Sequence, residues 1–138
     1  MSVENQSLDE SQIAELKSRW AQANPETGIS AENEMIARLK SECKKNQADR
    51  PLHLDLRGIT ILNQDLTDLD LSGYDFSHAN LSRSDLSRTS FGYATFESAR
   101  LEKSILDECE FIGSKLSGAI LNECSAKQSG FGGADLSG

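Results

Sequence analysis

Ala79-Asn80-Leu81-Ser82-Arg83-Ser84-Asp85-Leu86-Ser87-Arg88 decides the fold. It is one five-residue phrase written twice: a small residue, an Asn or Asp, a Leu, a Ser and an Arg. Stepping by five from Leu66 meets Leu71, Phe76, Leu81, Leu86, Phe91, Phe96, Leu101, Leu106, Phe111, Leu116, Leu121, Ala126, Phe131 and Leu136. Only Ala126 is neither Leu nor Phe, so the period holds over residues 64–138. Two residues before each of these centres, from Ala79 onward, stands Ala, Ser, Thr or Cys. Neither an α-helix nor a flat strand has a period of five. A coil that turns a corner once per pentapeptide does. Each side then points one large and one small residue inward, and Asp, Asn, Ser and Gly fall near the corners.

The phrase resembles the pentapeptide-repeat family, whose motif is A(D/N)LXX. Ala79-Asn80-Leu81-Ser82-Arg83 and Ala134-Asp135-Leu136-Ser137-Gly138 match it outright. The resemblance implies an all-β solenoid, a right-handed quadrilateral β-helix with twenty residues per coil and about four coils. The sequence supports period twenty independently. It stacks Phe91, Phe111 and Phe131 in one column and Phe76 and Phe96 in the next, where aromatic rings gain from mutual contact. Right-handedness agrees with the hand of parallel β connections.

Upstream, the small position becomes large: Tyr74, Leu69, Gln64, Ile59 and Leu54. These predict a wider first coil over 52–78, regular coils over 79–138, and a solenoid over 51–138. Residues 1–50 read as a helical segment. Asp9 and Glu10 open a helix with Ile13, Leu16 and Trp20 on one face, broken at Asn24-Pro25 and Gly28. Ser30 N-caps a second helix with the stripe Met35, Ile36, Leu39 and Cys43. A small α-helical hairpin folded over the first coil is expected, since solenoid ends need covering. A partner-binding arm is the alternative.

The chain is acidic, with 22 Asp and Glu against 14 Lys and Arg, a net −8. Residues 64–138 carry 12 acids and 6 bases. Direct nucleic-acid binding is therefore not expected. Nor is membrane insertion, as no apolar run spans a bilayer. Cys43, Cys109 and Cys124 are too few for a disulfide framework, and a reducing cytoplasm is expected. His53 and His78, the two histidines, join no catalytic constellation. His78 reads as a solvated corner residue, and Cys109 and Cys124 as buried free thiols. No catalytic residue, metal site or cofactor is expected.

What remains is the outer surface. The side centred on Leu66, Leu86 and Leu106 presents Asp65, Asp68, Asp85, Asp107 and Glu108, opposed by Arg88 and Lys127 and interrupted by Ile105, Ser125 and Lys127. The next side presents Tyr93 and Ile112 among glycines. These predict a non-enzymatic module that binds another protein. The resemblance implies a second possibility, a DNA mimic acting on a type II topoisomerase, as in the quinolone-resistance branch. The last coil leaves Phe131 and Leu136 without a visible cap, which predicts a homodimer through the C-terminal coils.

Overall fold

A computed structural model describes residues 8–45 and 54–138. Leu52, His53 and the boundary expected at 50/51 lie outside the described residues.

Residues 54–138 return to the same edge every twenty residues. Each parallel bridge pairs a residue with the one twenty further on, as in the run Asp55, Asp75, Thr95, Lys115 and Asp135. Four such columns lie side by side, led by Asp55, Thr60, Asp65 and Asp70. The bridges are isolated ones, and no continuous strand forms among the described residues. A side that turns after five residues has length for only one bridging residue. The expected all-β coil is therefore built from single rungs. Backbone hydrogen bonds join the rungs, such as Leu56 N–H to the Asp75 carbonyl at 2.8 Å and Asp75 N–H to the Leu54 carbonyl at 3.2 Å.

The corners explain the repeat. At most corners the residue three after a centre donates its N–H back to that centre's carbonyl, as Ala94 does to Phe91 at 3.0 Å. The residue between them, two after the centre, has positive φ at corner after corner. Glycine fills it at Gly58, Gly73, Gly113, Gly118 and Gly133, but Asp68, Arg83, Arg88, Tyr93, Lys103 and Glu108 hold φ near +60° as well. This is the demand of a type II turn. For a non-glycine residue it costs about 1–2 kcal/mol. The turn bond offsets that, as does the ladder bond from the same residue's N–H, as in Tyr93 to the Ile112 carbonyl at 2.8 Å. The Asp or Asn before the centre holds the corner's other half. Asp65, Asp70, Asp75, Asn80, Asp85 and Asp135 each accept the N–H of the residue two further on.

Inside, the large column is buried from Leu56 to Leu116. Phe91 stacks on Phe111 at 5.2 Å between centroids, Phe111 on Phe131 at 5.0 Å and Phe76 on Phe96 at 5.1 Å. The small column is more than filler. Ser84, Thr89, Cys109 and Cys124 donate to the carbonyls of Ile61, Leu66, Leu86 and Leu101 in the coil above. A buried hydroxyl or thiol here meets an acceptor, which removes the penalty of burying it. Tyr74, Leu69 and Ile59 are buried in the first coil in place of small residues.

The N-terminal segment lies on that first coil. Helix α1 (Glu10–Ser18) starts at a capping box of Asp9 and Gln12, and a 3-10 turn at Arg19–Ala21 follows. Helix α2 (Ala31–Glu42) is capped by the Ser30 hydroxyl. Ile36, Leu39 and Cys43 are buried with the coil residues in one cluster, and Met35 packs against it. Beyond α2, Lys44 bridges Leu69 in antiparallel fashion, with Asp70 N–H to the Cys43 carbonyl at 2.7 Å. Backbone groups of the first coil are met one by one. Arg19 donates to the Asp55 and Arg57 carbonyls, and Glu32 accepts the Thr60 N–H.

Candidate interaction surfaces

The acidic side carries Asp65, Asp68, Asp85, Asp107 and Glu108, and the structure shows what occupies them. Asp65 accepts the N–H and hydroxyl of Thr67, and Asp85 those of Ser87. Asp68 pairs with Arg88 at 2.8 Å. Asp107 takes the Ser125 hydroxyl at 2.6 Å and the Lys127 N–H at 2.9 Å. These contacts hold the carboxyls of Asp65, Asp68 and Asp107 below their ordinary range, through Thr67, Arg88 and Ser125 respectively. Of the five, only Glu108 makes no side-chain hydrogen bond or ion pair among the described residues. The side is acidic: Asp68 shares its charge with Arg88, while the neutral donors at Asp65, Asp85 and Asp107 fix those carboxylates in place and leave them ionised.

The neighbouring side, centred on Leu71, Phe91, Phe111 and Phe131, behaves otherwise. Tyr93 is 74% exposed and Ile112 48%. The Tyr93 ring lies over Gly113. A Cβ added there would stand 2.5 Å from Tyr93 Cε1, so glycine is what leaves room for the ring. Gly92 and Gly132 flank Ile112 twenty residues to either side. The result is an apolar pair standing above a low floor.

Phe131 is half-buried beneath Phe111, and Leu136 is 54% exposed. Cys109 is buried, Cys124 half-buried, and both thiols are free. Burial pushes the Cys109 thiol up to about 11. His78 departs from its expected solvated position. It is half-buried near α1, and burial, with Lys17 nearby, lowers its pKa. Among the described residues no group of three His, Cys, Asp or Glu is placed for a metal ion, and no helix is long and apolar enough to cross a membrane.

A third surface was not singled out from the sequence. The side centred on Ile61, Leu81, Leu101 and Leu121 holds a recess of about 260 Å³, lined by Leu62, Arg83, Arg100, Glu102 and Lys103 among others. The signal was present, since Arg83 and Lys103 are twenty residues apart and share one corner column.

Residues 65–102 and 104–138 match the family model described as pentapeptide repeats (8 copies). No curated protein matches the chain. Among solved structures, the pentapeptide repeat protein Rfr23 from the cyanobacterium Cyanothece 51142 is similar, at 23% identity and a TM-score of 0.60. The match covers 65% of this chain and 63% of that one. HetL from Nostoc sp. strain PCC 7120, a pentapeptide repeat protein involved in heterocyst differentiation regulation, matches at 22% identity and a TM-score of 0.35, over 58% and 39% of the two chains. A pentapeptide repeat protein of the Arabidopsis thaliana thylakoid lumen matches at 23% and 0.42, over 54% and 62%. The chain thus spans less than two thirds of the length of each. At these identities the first likeness shows the fold alone.

Proposed function

The chain belongs to the pentapeptide-repeat family, whose model matches more than half of it, and from that membership we propose that it is a non-enzymatic module that docks another protein on the sides of a rigid solenoid. The family forms right-handed quadrilateral β-helices and is generally non-enzymatic. In this reading the chain builds about four such coils, and the N-terminal helices serve as an end cap rather than a partner-binding arm. The observation that carries the docking proposal is the Tyr93–Ile112 pair, exposed on a floor of glycines. A large aromatic with an adjacent aliphatic is the composition of interface centres, and low neighbours let a partner approach closely. The three free thiols suit a reducing cytoplasm.

The test is capture from an extract of the source organism with two baits, the intact protein and Tyr93→Ser with Ile112→Ser. Serine fits the Tyr93 corner, because Ser98 holds φ +57° at the equivalent place. A protein held by the first bait and lost from the second, with equal melting temperatures, supports the proposal. Identical captures overturn it.

Mimicry of duplex DNA toward a type II topoisomerase has the net charge in its favour. It has against it the Asp68–Arg88 ion pair and the breaks in the acidic side at Ile105, Ser125 and Lys127. If Gly138 is the true terminus, a homodimer through the coils of Phe131 and Leu136 is the further assembly proposed, since Leu136 is exposed and apolar. Sedimentation of the wild type and of Phe131→Asp at several concentrations tests it.

A further inference from the structure

Two corner columns of the solenoid handle charge in opposite ways. Beside the acidic side the order along the stack is Asp68, Arg88, Glu108 and Gln128, so the cation lies between two acids. Arg88 Nε and an Nη reach the Asp68 carboxylate at 2.8 and 3.0 Å. Beside the Leu81 side the order is Asn63, Arg83, Lys103 and Glu123. Here two cations follow one another, a rung apart at ~4.8 Å of backbone. Such like-charge neighbours are unfavourable. Lys103 has a loose carboxylate, Glu123 at 3.6 Å, and Arg100 has Glu102 at 2.6 Å. Arg83 makes no ion pair and no side-chain hydrogen bond among the described residues. Asn80, beside it, is occupied by Ser82.

The same side carries apolar groups. Leu62 and Ile120 are each 40% exposed. Leu62 lines the recess on its first rung and Ile120 stands one rung beyond its last, with Arg83, Arg100 and Lys103 between them. Three rungs separate them, about 14 Å, which an extended peptide covers in about four residues. From this juxtaposition we infer that the Leu81 side docks an extended peptide segment of a partner protein in which one carboxylate stands midway between two apolar residues about four apart, all three on one face of the segment.

Charge selects a short acidic peptide over nucleic acid. Arg83, beside the Arg100–Glu102 and Lys103–Glu123 pairs, leaves this surface one net positive charge on a chain of net −8, flanked by the acidic Leu66 side. A long polyanion would meet that repulsion along its length, and a short segment would not. The carboxylate gains charge-assisted hydrogen bonds from Arg83, and the apolar residues cover Leu62 and Ile120. This surface is distinct from the Tyr93–Ile112 pair, and either can fail without the other.

The probe is a fluorescein-labelled peptide, GSLSESLSG, which puts Leu, Glu and Leu on one face when extended, followed by fluorescence anisotropy at about 50 mM salt, where surface charge is little screened. The binding variant is Arg83→Gln with Lys103→Gln. Gln128 holds φ +59° at the matching corner position, so glutamine fits there. The control is Lys115→Gln with Lys127→Gln, which removes the same charge from other sides. Saturable binding is expected, weakened at least roughly tenfold in the first variant, close to unchanged in the control and absent for GSLSQSLSG. No saturable binding of the acidic peptide overturns the inference. So does equal loss in both variants, or equal or tighter binding of a twelve-residue oligothymidylate, which would mark a general polyanion surface.

Discussion

The indole Nε1 of Trp20 donates to the backbone carbonyl of Arg57 at 2.8 Å. That bond, with one from Arg19 to the same carbonyl at 2.9 Å, joins the N-terminal segment to the first coil where no rung lies above it. In later coils the equivalent carbonyl is met by a ladder N–H, as Ser77 is by Gly58 at 2.9 Å. Trp20 is buried, and the Arg19 guanidinium lies 4.7 Å above its ring. Trp20→Ala is therefore expected to destabilise the protein by about 3–5 kcal/mol, the usual loss for a buried aromatic. Chemical denaturation measures it, and a change below about 1 kcal/mol would show that the segment is not tied down there.

Trp20 also reports on acid. Hydrogen bonds from Arg57 and Arg19 hold the Asp55 carboxyl far below its ordinary range against the opposing effect of burial. A carboxylate depressed in the folded state leaves the unfolded chain binding more protons. Its stabilisation is thus complete above the ordinary carboxylate range and is lost as pH falls below about 4. Emission from Trp20, the chain's one tryptophan, is expected to shift to the red in that window. Asp55→Asn should flatten the acid response and weaken the junction at neutral pH. An acid profile identical to wild type would count against Asp55 as the link.

Gly58 and Gly28 separate two demands on glycine. Both have positive φ, +77° and +73°. A Cβ at Gly58 would lie 3.0 Å from the Leu16 carbonyl carbon, whereas one at Gly28 would meet nothing. Gly28→Ala should lose only the conformational term, about 1–2 kcal/mol. Gly58→Ala should lose more and shift α1, seen as faster amide exchange over Glu10–Ser18. Equal losses would mean that α1 does not press on the coil.

Ala99 is fully buried, while Ala119, one rung on, is half-buried. Leucine at position 99 is expected to cost about 1–3 kcal/mol by overpacking, and at 119 less. The reverse order in thermal unfolding would place the register elsewhere.

DNA supercoiling by gyrase should be unaffected by the protein at micromolar concentration. Inhibition that Asp65→Lys with Asp85→Lys abolishes would instead favour the DNA-mimic reading, since it would show those carboxylates acting outward.

The period from Leu66 to Leu136, the Phe91–Phe111–Phe131 column and the Ser30 cap are legible in the linear chain. Each depends on neighbours a few residues away or on a strict repeat, so spacing alone carries it. Repetition makes a long-range contact predictable, because every rung solves the same packing problem. The surfaces were half legible. Register arithmetic placed Asp65, Asp85, Tyr93 and Ile112 on their sides, but it could not show that Thr67 and Ser87 claim the two carboxylates or that Gly113 lies under the Tyr93 ring. Those outcomes depend on rotamers, which tertiary contacts choose. The meeting of Trp20 with Arg57, Glu32 with Thr60 and Lys44 with Leu69 falls wholly to the tertiary structure. These pairs obey no period. They arise because the first coil has backbone groups with no preceding coil to bond, and any nearby segment offering matching donors and acceptors can meet them.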